Sequence, residues 1–259
     1  MKICRFTNQE NFNPLYGIIE GETIHPLTSA NPFDSPLRTS EDKISLSEVR
    51  LLAPVMPSKI VCVGRNYRDH AAELGNSMLT EPLLFFKPPS AIIAPLEAIE
   101  LPVQSNQVEH EGELGVVIGR SARRLAVTDD ALAYVLGYTC VNDVTARDLQ
   151  RKDVQFTRAK SFDTFCPVGP WIETALGPND LAVTARVNGE VKQQARTSAM
   201  AFSVPAIIRY ISQIMTLYPG DLIATGTPAG VSRLKAGDVV EVEVEGIGVL
   251  SNSVRSPAA

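Results

Sequence analysis

No apolar run in this chain of 259 residues approaches the roughly 20 residues a membrane span needs. The opening MKICRFTNQE lacks the apolar stretch of a signal peptide. These absences predict a cytoplasmic protein with no membrane partner. Positive charge is also scarce. Lys and Arg number 24 against 29 Asp and Glu, and the net charge of −5 leaves no electrostatic footprint for nucleic acid. Cysteines stand only at 4, 62, 140 and 166, with no C-x-x-C pair, and read as free thiols of a reducing compartment. Histidines are three: His25, His70 and His110. No His/Cys set has zinc spacing, so histidine chemistry must come from that short set.

What is present is globular. Hydrophobic residues make up 44% and charged residues 20%, which argues against a disordered chain. The length corresponds to between one and two domains. Residues 1–53 alternate short strand-like pieces (KICRF, LYGIIE, TIHPL) with loop-rich stretches and read as a small β-rich N-terminal domain. Residues 54–259 form the second and larger domain. Its strands are IVCVG (60–64), LLFFK (83–87), ELGVVIG (113–119), GYTCVND (137–143), DLIATGT (221–227) and DVVEVEVEG (238–246). In the last, Val240, Val242 and Val244 alternate with glutamates, so one face is wet, and GIGV suggests a hairpin return.

Helices are fewer. Thr128 can cap DDALAYVL, with Gly137 past its end. Ser203 can cap VPAIIRYISQIM, whose Ile207, Ile208, Ile211, Ile214 and Met215 share one face. NYRDHAAELG is a short helix ended by Gly75. Strands do not alternate regularly with helices, so a doubly wound parallel sheet is excluded in favour of an α+β, mainly β fold.

The segment VEHEGELGVVIG carries Glu109, Glu111 and Glu113 at spacing two. On a strand such residues share a face. They are tolerated there if solvated, or if a cation sits among them. Asp143 ends a second apolar strand and can join them. An all-oxygen set selects Mg²⁺ or Mn²⁺, and Ca²⁺ can take the same oxygens in a crystal. His110 lies between two of the glutamates and faces the other way, as a structural residue.

GRNYRDHAAELG, FFKPPSAI, VEHEGELGVVIG, GYTCVNDVTARDLQ, RAKSFDTFCPVGPW and TGTPAGV occur in this order from about residue 56 to residue 250. Together they resemble the fumarylacetoacetate hydrolase family. The short members are most similar: acylpyruvases, oxaloacetate decarboxylases and hydroxyheptadienedioate isomerases. The resemblance implies a mixed β-sandwich roll, a homodimer, and a metal held by Glu111, Glu113 and Asp143. It implies a water-activating dyad of His70 and Glu73, with Lys160 and Gln150 as further catalytic residues. Arg65, Tyr67, Lys87, Arg147 and Thr227 fall on motif positions that contact substrate. The segments that mark true fumarylacetoacetases are not evident, and the chain is shorter, which points away from fumarylacetoacetate itself.

The substrates so implied are small 2-oxo acids with a second carbonyl or carboxylate at the next-but-one carbon. Cleaving their C–C bond develops negative charge that a Lewis-acidic cation can spread. Hydrolysis also needs an activated water, for which histidine suits neutral pH. Glu73 is three residues on and can orient the ring of His70, although an HxxE pair by itself also fits an exposed helix surface. Lys87 and Lys160 can stabilise the developing charge, Arg147 can fork to a carboxylate, and Gln150 is a neutral donor. The hydroxyl and backbone amide of Thr227 can both bind a substrate carboxylate. Hydrolysis of acylpyruvate-like 2,4-dioxo acids is the leading expectation. Decarboxylation or tautomerisation of oxaloacetate, or isomerisation of 2-hydroxyhepta-2,4-diene-1,7-dioate, is the alternative at the same site.

Overall fold

In a computed structural model, residues 1–8 and 12–256 are described. The fold is mainly β, as the strand-rich sequence requires. A twelve-stranded sheet has Cys166–Glu173, Val135–Asn142 and Gly112–Ile118 as antiparallel neighbours at its centre. Leu222–Ala224 pairs antiparallel with the last of these, Ile60–Gly64 lies parallel to Leu222–Ala224, and Leu83–Lys87 closes that edge. On the other side Lys2–Asn8 pairs with Cys166–Glu173, and Leu15–Glu20, Thr23–Pro26 and Ile44–Ser45 follow. The N-terminal strands therefore extend the main sheet. The Met1 ammonium donates to Glu173 Oε1 at 2.6 Å across the same seam. A five-stranded sheet packs against the first, in the order Glu190–Arg196, Ala182–Val187, Val239–Val244, Gly248–Arg255 and Ile99–Glu100.

Gly112–Ile118 is buried along its whole length, which explains its unbroken apolar run. Leu114, Val116 and Ile118 pack with Val183, Val242 and Val244 of the second sheet and with Ile207, Ile208 and Ile211 of the helix Val204–Ile214. Val117 faces the other way, against Val141, Ile172, Leu222 and Ile3. Ile214, expected on the helix's apolar face, is exposed. The helix expected after Thr128 is only a 3₁₀ turn, Ala131–Tyr134, capped by Asp130. Val135 and Leu136 instead start a central strand, and Gly137 lies within it. A Cβ there would come within 2.5 Å of the Glu173 carbonyl, so Gly137 serves close strand approach rather than a helix end.

Topology gathers the candidate residues at one end of the large sheet. Gly112–Ile118 runs antiparallel to Val135–Asn142 and Leu222–Ala224, so its start lies beside their ends. Ile60–Gly64 ends on the same side because it is parallel to Leu222–Ala224. Glu113, Asp143, Thr227 and the segment carrying His70 therefore converge. Asn66 ties that segment down. Fully buried, it donates from Nδ2 to the carbonyls of Phe202 (3.1 Å) and Thr225 (2.7 Å) and accepts from the Phe202 amide (2.8 Å). Each buried partner left unpaired costs about 1–3 kcal/mol. Asn66→Ala should therefore lower stability by roughly 3 kcal/mol in urea unfolding; an unchanged midpoint would contradict this tether.

Candidate active site

Three of the four acidic residues singled out from the sequence form one cluster. An oxygen from each of Glu111, Glu113 and Asp143 lies within 4.8 Å of the others. Backbone bonds hold the set: the Asp143 amide donates to the Glu111 carbonyl at 2.8 Å, and the Glu111 amide to Asn142 Oδ1 at 2.9 Å. All three are buried, so the solvated-edge reading fails. Lys160 Nζ bridges Glu111 Oε2 at 2.7 Å and Asp143 Oδ2 at 2.6 Å. Lys87 Nζ reaches Asp143 Oδ1 at 2.6 Å. Arg147 binds Glu111 through a terminal nitrogen and Glu109 Oε2 through Nε at 2.7 Å.

Four buried carboxyl groups thus share three buried cations, leaving one carboxyl without a cationic partner. That carboxyl is Glu113. Its one donor among the described residues is the Gly226 amide, at 2.7 Å. Burial, then the charges of Asp143 and Glu111, push the Glu113 carboxyl well above the usual carboxylate range. Glu111 shifts the other way: burial works to raise it, but Lys160 and Arg147 more than offset this and hold it well below that range. Burial likewise works against the Lys160 ammonium, yet Asp143 and Glu111 keep its affinity for the proton raised. A divalent cation fits this donor set. Its ligands are hard oxygens, and its charge would neutralise the one carboxylate without a cationic partner.

The cluster floors a cavity of about 460 Å³. His70 and Glu73, from the helix Arg68–Glu73, line it, with His70 Nδ1 3.1 Å from Glu73 Oε2. A carboxylate can only accept, so Nδ1 carries the proton and Nε2 is left as the basic nitrogen. The other Glu73 oxygen accepts from the Gly230 amide at 3.0 Å. Gln150 Oε1 accepts from Arg147 at 2.6 Å, which fixes the amide and leaves its NH₂ as a donor. Arg65 and Thr227 lie on the wall, and Phe85 and Phe156 pack edge-on at 5.6 Å as its apolar side.

Two of the expected substrate contacts are not part of this cavity's lining. Lys87 is buried behind Asp143, outside the lining, with its ammonium shared with the Val144 carbonyl at 3.1 Å. Tyr67 borders a neighbouring cleft with Arg68 and Met200, while its buried hydroxyl, without a hydrogen-bond partner among the described residues, lies within electrostatic reach of Glu113. Arg147 does line the cavity, but it forks onto Glu109, Glu111 and Gln150 of its own chain. His110 is structural as expected, fully buried between Gln193 Oε1 (3.1 Å) and Ser232 Oγ (2.9 Å). Sequence reasoning missed Gln193, Gly230 and the pairing of Glu109 with Arg147. For Glu109 the E-x-E-x-E spacing was a signal, and Gly230 falls within the TGTPAGV motif, whereas Gln193 lies outside every motif.

The three clustered acidic residues differ in what holds them, so their substitutions should differ. In chelator, Asp143→Ala strands Lys87 and Lys160 and should cost about 3–5 kcal/mol in urea unfolding. Glu113→Gln has no cation to strand and keeps an acceptor for Gly226, so it should cost less than about 1 kcal/mol. Both should lose stabilisation by Mg²⁺, which at 100 times its dissociation constant is worth about 2.7 kcal/mol in the native protein. Equal costs for the two variants would contradict the charge assignment.

Comparison with known proteins identifies the family. Residues 59–255 match the profile described as fumarylacetoacetate (FAA) hydrolase C-terminal, and residues 1–54 match the Rv2993c-like N-terminal profile. Protein Rv2993c of Mycobacterium tuberculosis is 52% identical over 263 residues, covering 98% of each chain. The mitochondrial oxaloacetate tautomerase FAHD2A of Bos taurus is 45% identical over 84% of this chain and 73% of its own. The crystal structure of 2-hydroxyhepta-2,4-diene-1,7-dioate isomerase from Mycobacterium marinum superposes with a TM-score of 0.91, at 43% identity and full coverage of both chains. The chain belongs to the fumarylacetoacetate hydrolase family.

Proposed function

We propose that this protein is a Mg²⁺- or Mn²⁺-dependent enzyme that hydrolyses a C–C bond in acylpyruvate-like 2,4-dioxo acids. The observation that carries the reading is the His70–Glu73 pair at 3.1 Å in one cavity with the buried Glu111, Glu113 and Asp143. Those three would hold the cation. Bound there, it would act as a Lewis acid toward the 2-oxo and carboxylate oxygens of the substrate.

The chain's own groups supply the rest. His70 Nε2 takes a proton from water as it attacks the second carbonyl, and Glu73 stabilises the imidazolium that forms. The free Gln150 amide donates to the attacked oxygen, and the Lys160 ammonium offsets negative charge developing on the 2-oxo fragment. His70 then returns the proton to the carbon that leaves. Arg65 can meet the substrate from the wall. A second reading, tautomerisation of oxaloacetate or isomerisation of an unsaturated oxo-diacid, draws support from the named activities of the two relatives above. It uses the same cation and the same base, without attack by water.

The reading includes a homodimer in the cytoplasm. Leu83–Lys87 is the terminal strand of the large sheet and half exposes Phe86, an edge that a second copy can cover. All four cysteines are free thiols, as a reducing compartment requires.

His70→Ala should slow acylpyruvate hydrolysis by about 10²- to 10⁴-fold while leaving Mg²⁺ affinity intact, and Glu73→Gln should do less harm. The assay is a Mg²⁺-dependent panel of acetylpyruvate, longer acylpyruvates, oxaloacetate and an unsaturated oxo-heptanedioate. Turnover of oxaloacetate or the heptanedioate alone would select the second reading. Light scattering at micromolar concentration should return twice the 28.1 kDa chain mass; a monomer would contradict the dimer.

A further inference from the structure

Gln193 lies in the five-stranded sheet, outside every motif of the site, yet its side chain is fully buried and uses both ends of its amide. Its Oε1 accepts from the Gly112 amide at 2.9 Å and faces His110 Nδ1 at 3.1 Å. Its Nε2 donates to Thr227 Oγ1 at 2.7 Å and to the Pro228 carbonyl at 2.6 Å. The orientation is unambiguous, because a backbone N–H requires the oxygen and a backbone carbonyl requires the nitrogen. The strand is built to deliver this residue. Pairing passes from Ala185↔Gln193 to Arg186↔Val191, so Lys192 is the extra residue of a bulge, a device that re-aims side chains. The Lys192 carbonyl presses on Gly230, where a Cβ would come within 1.9 Å, and the Gly230 amide holds Glu73.

The proton on Thr227 is thereby fixed. Gln193 Nε2 can only donate to Oγ1, and the Gly112 carbonyl, 2.9 Å away, can only accept from it. The hydroxyl proton is committed to Gly112, so it is withheld from an anionic substrate. The Thr227 amide has no acceptor among the described residues, and Thr227 lines the cavity. We infer that Gln193 is a positioning residue. It locks the Thr227 hydroxyl onto the strand that carries Glu111 and Glu113, so that the Thr227 backbone amide is the group offered to the substrate carboxylate. This rests on the 2-oxo acid reading above.

Oxalate, titrated calorimetrically into the Mg²⁺-loaded protein, reads this amide without turnover. Gln193→Leu should weaken oxalate by about ten-fold or more, as loss of a well-placed hydrogen-bonded anchor does. Thr227→Val should weaken it similarly, and the double variant should lose no more than the worse single one, since both break one linkage. Thr227→Ser should recover most of what Thr227→Val loses. Gln193→Glu keeps the acceptor for Gly112 but removes both donors, and should also weaken oxalate, which keeps the test decisive if Gln193→Leu folds poorly. Native-like oxalate affinity in folded Gln193→Leu or Gln193→Glu would overturn the role of Gln193. Losses that add in full in the double variant would overturn the shared linkage with Thr227. A native protein that takes up Mg²⁺ but not oxalate contradicts the functional reading, and the inference falls with it.

Discussion

Burying four carboxyl groups with three cations leaves one of them, Glu113, without a cationic partner. The arrangement around Glu113 follows from that imbalance. Glu109 and Glu111 share Arg147, Glu111 and Asp143 share Lys160, and Asp143 also has Lys87. Only Glu113 relies on a backbone amide. A buried charge without a partner is expensive, so Glu113 favours its protonated form until a mobile cation completes the set. A divalent ion would convert the deficit into one positive charge, the sign an anionic oxo acid needs. The three internal cations limit that excess, so the site attracts an anion without binding it as a naked metal would.

Holding like charges together demands a stiff frame, and the sheet topology supplies it. The strand that begins between Glu111 and Glu113 is buried on both faces and hydrogen-bonded on both sides. Its opening residue, Gly112, is pinned by Gln193 from the second sheet. The facing strand brings Asp143 alongside through the Glu111 carbonyl. By contrast, His70 and Glu73 sit on a helix of six residues whose first turn has no side-chain cap. That helix is fastened at Asn66 and, through Glu73, at the Gly230 amide. The acidic cluster thus belongs to the rigid part of the molecule, and the His70–Glu73 pair to a short, separately tethered piece.

Much of this was legible in the chain, for identifiable reasons. Apolar runs bounded by Gly, Pro and Asp marked the strands, and glutamates two apart on such a run marked the carboxylate face. The failures came where long-range contacts override local signals. Val135 and Leu136 carry helix-compatible neighbours, but pairing with the central sheet makes them strand. For Lys87 and Arg147 the motif positions carry no sign of what the fold adds: Lys87 packs behind Asp143, and Arg147 lines the cavity while binding Glu109 and Glu111. Gln193 could not be found from sequence, because what aims it is a bulge defined by pairing with another strand.

The charge balance is tested most directly by diffraction at the manganese edge from crystals soaked in Mn²⁺. The account predicts one strong anomalous peak per chain, in contact with Glu111, Glu113 and Asp143, and its loss in Glu113→Gln. Manganese bound only elsewhere, or an undiminished peak in Glu113→Gln, would contradict it.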